Sequence, residues 1–150
     1  MFADFNYDKF PKVFVTFSES LNSEHEFDEF LKTWLLLYHN QIDFVFIFDT
    51  RLMKNISPKY CIKIALFIKK LRKQPYHYLQ KSLIILDDNR IKKLLDMVFS
   101  LQSPVAPVYL WRTECDNKDE IYNICESCNR ENLSDDMIYI KPNSSFVPFL

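Results

Sequence analysis

The sequence predicts an α/β fold: a single domain built on a mostly parallel, mixed sheet of about five strands with four helices. Three observations predict it. Residues 44–48 (FVFIF) form an unbroken apolar run that stops at Asp49, the pattern of a strand covered on both faces. Apolar runs then alternate with segments of helical period, which argues for βα units joined by right-handed crossovers. The length of 150 residues, with 48% hydrophobic and 16% aromatic side chains, suits one packed core, and no internal repeat or linker interrupts it.

Each element has its own signal. Residues 1–11 are aromatic and irregular, with room for a short strand around 2–7. Residues 12–18 (KVFVTFS) read as a strand of branched and aromatic residues. Ser23 and Glu26 form a capping box, and Phe27, Phe30, Leu31, Trp34, Leu35 and Tyr38 follow at helical spacing. That helix is expected to end near His39-Asn40, with Asn40 in the left-handed position that glycine usually takes. After the 44–48 strand, Ser57 is expected as N-cap and Pro58 as first residue of a second helix. Its apolar stripe is Tyr60, Cys61, Ile64, Ala65, Phe67, Ile68 and Leu71, with Lys59, Lys63, Lys69, Lys70 and Lys73 opposite and Pro75 beyond. Residues 83–86 (LIIL) predict a third buried strand. One of Asp87, Asp88 and Asn89 caps a helix carrying Ile91, Leu94, Leu95, Val98 and Phe99. Residues 108–111 predict a strand. Asp116 is expected to cap the last helix, and Met137–Ile140 closes the sheet before the tail, residues 141–150.

Composition excludes several functions. The net charge is −1, from 19 basic and 20 acidic residues, so the basic excess typical of nucleic-acid binding is missing. No apolar run reaches the roughly 18–20 residues of a membrane span. The start of the chain has no basic cluster followed by an apolar run, so a location in the cytoplasm or within an intracellular assembly is expected, not a secreted one. On that reading Cys61, Cys115, Cys125 and Cys128 are reduced thiols. There is no glycine, which rules out Walker A and GxGxxG phosphate loops. No cofactor is expected. The wealth of Phe, Tyr, Ile, Asn and Lys reads as the codon bias of an AT-rich genome.

Across roughly residues 12–128 the pattern resembles the SpoIIAA-like superfamily, which joins STAS domains with CRAL-TRIO lipid-binding domains. The resemblance rests on the DFVFIFD strand, the SPKYCIKIALFIKKL helix, the LIILDD strand with NRIKKLLDMV, and the PVYLWRTE strand. It implies a binding or regulatory module. In bacterial STAS antagonists a phosphorylatable serine opens the helix after the central strand, in an Asp-Ser-Ser-Gly context. Here Asn55-Ile56-Ser57-Pro58 has neither the second serine nor the glycine. Ser57 is the one position to which a regulatory phosphosite transfers, and its role as a helix cap accounts for it without phosphorylation.

Several side-chain groups are candidates for function. Three strands are expected to end in charged clusters, bringing Asp49, Arg51, Asp87, Asp88, Arg90 and Arg112 to the sheet edge where α/β folds bind ligands. The simpler assignment for these residues is helix caps and loop ion pairs. A receiver-domain reading of LIILDDNRIKKLL with Ile140-Lys141-Pro142 fails, because no later strand ends in the required aspartate. Cys125 and Cys128 form a CxxC, and Cys115 is the only nearby candidate to extend it toward a metal site. The pair falls late in its helix on the apolar face, which favours a core role over redox work. The three histidines are isolated, so no nucleophile–base pair is expected. The lysines of the second helix read as a solvated face, with an acidic partner or a lipid headgroup as the alternative. The apolar tail Phe146, Val147, Phe149 and Leu150 is expected to dock on its own domain or on a neighbour, and Phe2, Phe5, Tyr7 and Phe10 raise the same possibility.

Together these features predict a non-enzymatic, STAS-like protein-interaction module, a structural or regulatory subunit of a larger assembly, with protein partners met partly through its termini. The alternative is a small CRAL-TRIO-like domain holding a lipid or other apolar ligand, which requires an apolar cavity of at least ~300 Å³. The least favoured reading is an enzyme using the Asp/Arg rim, which requires those side chains to meet in a cleft.

Overall fold

A computed structural model of the chain describes residues 1–54, 56–87 and 89–142. It is an α/β fold with a six-stranded mixed sheet and four helices. The strands are β1 (Ala3–Lys9), β2 (Lys12–Phe17), β3 (Phe44–Asp49), β4 (Leu79–Leu86), β5 (Val108–Arg112) and β6 (Met137–Ile140). They lie side by side in sequence order. The four central strands β2 to β5 are parallel, and β1 and β6 close the two edges in antiparallel fashion.

The helices are α1 (Glu24–Leu36), α2 (Lys59–Arg72), α3 (Asn89–Leu101) and α4 (Lys118–Ser127). The first three link successive parallel strands in sequential order. Repeating one crossover hand therefore places all of them on one face. The period-2 alternation of the strands sorts the core accordingly. Val13, Val15, Phe44, Phe46, Phe48 and Leu110 face α1, α2 and their neighbours. Phe14, Ile47, Leu83, Ile85, Tyr109 and Trp111 face α4 through Ile121, Tyr122, Cys125 and Cys128. Burial on both faces is why residues 44–48 contain no polar position.

Aromatic side chains fill the larger half of the core. Trp34 meets Phe46 edge-on at 5.3 Å and Phe67 at 5.0 Å, and Phe46 stacks on Phe48 at 4.5 Å. Such pairs add about 0.5–1.5 kcal/mol each beyond their area.

The sheet has one strand more than expected. The N-terminal aromatics do not stay irregular: Ala3 to Asn6 pair with Phe17 to Phe14, which buries Phe2 and half-buries Phe5. The pairing shifts register between Asn6 and Lys9. With Asp4, Asp8 and Lys9 on the same strand, that irregularity blunts the open edge. β4 also starts earlier than the LIIL run, at Leu79, because pairing with β3 extends it through polar residues.

Three helix ends differ from expectation. Instead of a cap at Asn40, α1 tightens into a 3-10 turn over Leu37–Asn40, and Gln41 takes the left-handed conformation at φ 55° and ψ 36°. Asn117, not Asp116, caps α4 by accepting the Glu120 N–H at 3.0 Å. Pro58 stands at the N-cap of α2, one residue later than expected, and Ser57 supplies no formal side-chain cap. The Ser23–Glu26 capping box forms as read: Ser23 Oγ accepts the Glu26 N–H at 3.3 Å.

Candidate functional site

The parallel order of β3, β4 and β5 brings their carboxyl ends to one edge, so Asp49, Asp87 and Arg112 share a rim. Asp49 ends β3, and the turn after it folds Arg51 back over the same carboxylate. The guanidinium donates from Nε and Nη2 to Asp49 Oδ1 and Oδ2, both at 2.9 Å. Its Nη1 donates to the carbonyls of Thr113 and Cys115, in the loop after β5. Four of the five guanidinium N–H groups are therefore engaged. Both side chains are only 17% exposed. Hydrogen bonding to Asp49, opposed in part by burial, holds Arg51 above its ordinary pKa, and Asp87 adds a smaller attraction.

Beside this pair, Thr50 is buried and ties the loop to β4: its N–H and hydroxyl both donate to the Ile85 carbonyl, at 3.0 and 2.8 Å. Arg112 donates to Asn89 Oδ1 at 2.6 Å, joining the end of β5 to the start of α3. Arg90 is exposed on the first turn of α3. Asp88 lies outside the described residues, as does the tail of Phe146, Val147, Phe149 and Leu150. Asp49 and Arg112 therefore end parallel strands on either side of β4, but each is bonded to a different segment of the chain. The rim's central groups are spent on one another and on main-chain carbonyls, a clasp between the loops after β3 and β5.

Ser57 is exposed ahead of α2, where its hydroxyl accepts the Lys59 N–H at 3.4 Å. Cys125 and Cys128 are buried against the α4 face of the sheet. Burial pushes the Cys125 thiol up to about 12 and raises Cys128 as well, against the pull of Lys81. Neither thiol has the depressed pKa of a redox cysteine. Among the described residues no group of three or more His, Cys, Asp or Glu side chains is placed to hold a metal ion.

Two recesses escaped the sequence reading. One is a cavity of about 150 Å³ between the sheet and α1, α2 and α3, lined by side chains such as Phe30, Trp34, Phe48 and Val98, with Thr50 and Ser82 as its aliphatic hydroxyls. That is half the ~300 Å³ at which small-molecule sites begin. Beside it, the buried Trp34 Nε1–H has no hydrogen-bond acceptor among the described residues. The Tyr38 hydroxyl feels that N–H without bonding geometry, and burial carries the Tyr38 pKa up to about 12. The other recess is a surface groove of about 460 Å³ formed by Tyr7, Phe10, Leu36, Leu37 and Ile42. It lies where the end of β1 meets the end of α1. Its residues are scattered over 36 positions of sequence, and no local pattern joins them.

Comparison with family models, curated proteins and solved structures finds no match to this chain. Among the described residues, no helix is long and apolar enough to cross a membrane.

Proposed function

We propose that this chain is a non-enzymatic, STAS-like protein-interaction module that works as a subunit of a larger assembly. One observation carries the reading. At the sheet edge where α/β folds place their chemistry, the Asp49–Arg51 pair is closed on itself and on the carbonyls of residues 113 and 115. An enzyme would need those groups turned toward a substrate. A self-satisfied rim supports a role in holding loops in place, and favours action through the outer surface over chemistry at the rim.

The groove beside β1 supports the same reading. Tyr7, Phe10, Leu36 and Ile42 are all exposed there, an apolar cluster of the kind that marks contact surfaces. The cavity under the helices, at about 150 Å³, is half the ~300 Å³ that the lipid-carrier alternative requires, which weakens it. Sedimentation velocity of the full chain, compared with a Leu36→Glu variant, tests the proposal. The expected result is an associated species that the variant loses while its secondary structure is unchanged. A monomer at every concentration, for both proteins, would count against it.

A further inference from the structure

The charge of this chain is nearly balanced in total and strongly separated in space. Helices α2 and α3 carry eight basic residues against one acidic residue, +7 in a chain of net charge −1, so the rest of the chain carries −8. The two helices pack side by side through Cys61, Ile68 and Val98. Tyr60 and Leu71 of α2 are buried in the core beneath the helices. The residues on the opposite side of α2 point away from the sheet.

That outward side is not uniformly polar. On α2, Ile62 is 55% and Leu66 61% exposed, one turn apart, and Lys69 and Lys73 continue the same stripe. On α3, Met97 is 40% and Leu101 56% exposed, again one turn apart. Lys59 and Lys63 are partly neutralised by Glu24 and Asp28 of α1. Lys69, Lys70, Lys73 and Lys93 form no ion pair among the described residues. Four protruding aliphatic side chains therefore stand among cations that the fold itself does not neutralise.

We propose that the outer face of α2 and α3 docks on an anionic lipid bilayer surface. The occupant must offer negative charge and apolar depth in the same plane. The acidic α4 face of a second copy meets only half of that requirement: it presents Asp119, Glu120 and Glu126 outward, but Ile121, Tyr122 and Cys125 are buried. Docking it there would set Ile62 and Leu66 against carboxylates. The headgroup boundary of an anionic membrane offers both components: lysines stay at the phosphate level while aliphatic side chains enter the acyl region.

The test is vesicle flotation of the full chain, with phosphatidylcholine vesicles against vesicles containing about 30% phosphatidylserine at about 0.1 M salt. The expected result is at least about ten-fold stronger partitioning to the anionic vesicles, lost at about 0.5 M salt. Reversing three lysines (Lys69→Glu, Lys70→Glu, Lys73→Glu) should weaken partitioning about a hundred-fold or more. Replacing the aliphatic pair (Ile62→Ser, Leu66→Ser) should weaken it about ten-fold. All five positions are exposed, and circular dichroism is the check that each variant folds. Lys118→Glu, on α4, should leave partitioning unchanged. No binding to either vesicle, equal binding to both, or an equal effect of Lys118→Glu would overturn the proposal. So would capture by immobilised polyglutamate without any vesicle binding, which would assign the face to an acidic protein.

Discussion

Removing the Asp49 carboxylate should cost more stability than its position on a loop suggests. Arg51 and Asp49 are each 17% exposed and joined by two hydrogen bonds of 2.9 Å. Charge-assisted bonds of this kind contribute about 1.5–3 kcal/mol. Asp49→Ala leaves a mostly buried guanidinium with two carbonyl acceptors and no counter-charge, which raises the expected cost to about 2–4 kcal/mol. For a chain of this size that is a fall in Tm of roughly 6–12 °C. Arg51→Met leaves the Asp49 carboxylate just as buried and without its counter-charge, so it should cost a similar amount, about 2–4 kcal/mol. The double variant removes both charges, so its cost should fall short of the sum by about 2 kcal/mol. Urea denaturation of the four proteins measures this cycle. If each single variant cost under ~0.5 kcal/mol and the two simply added, the clasp would be ornamental and the reasoning wrong.

Other outcomes follow from the same structure. Burial raises the folded-state pKa of Cys125 to about 12, from an ordinary value of 9.0. Below pH 9 the thiol is protonated in both states and adds no pH dependence. Above it the unfolded chain loses the proton first, so stability should fall by up to about 1.4 kcal/mol per pH unit until the folded thiol also ionises. Denaturation at pH 8 and pH 10 should show the loss, and Cys125→Ala should flatten it; an equal slope in the variant would contradict the assignment. Asn117→Ala removes the α4 cap and should cost about 1 kcal/mol, whereas Ser57→Ala, whose contact with Lys59 is long, should cost under about 0.5 kcal/mol. Thermal melts that ranked the two the other way would show that Ser57 is the stronger cap.

The framework of this fold is local information. Residues 44–48 could be read as a central strand because a strand covered on both faces has no polar face to show. The helices α1 to α4 could be read because one stripe of each is apolar. What was read less sharply was set by pairing and by the choice between neighbouring residues. β1 is a strand because β2 pairs with it; its own residues alternate poorly. The helix ends slipped by one residue where two candidate caps stood side by side, Asp116 beside Asn117 and Ser57 beside Pro58. Without glycine, the left-handed turn after α1 had to fall on some ordinary residue, and the 3-10 turn moved it from Asn40 to Gln41.

The rim shows the same division. That Asp49, Asp87 and Arg112 share an edge follows from counting parallel strands. That Arg51 closes on Asp49 and reaches the carbonyls of residues 113 and 115 does not, because main-chain acceptors 62 and 64 residues away leave no mark in side-chain chemistry. The exposed pairs Ile62–Leu66 and Met97–Leu101 were half legible. The helical period already leaves these four outside the apolar stripes of α2 and α3, but only the folded structure shows that none of the described elements covers them.

The central claim is that the domain acts by contact and not by chemistry at its rim. Native mass spectrometry of the purified full chain tests it most directly. The account predicts an oligomer or a stable complex with another protein, of a mass explained by polypeptide alone. A monomer carrying a stoichiometric small molecule would contradict it, and so would a bare monomer at every concentration examined.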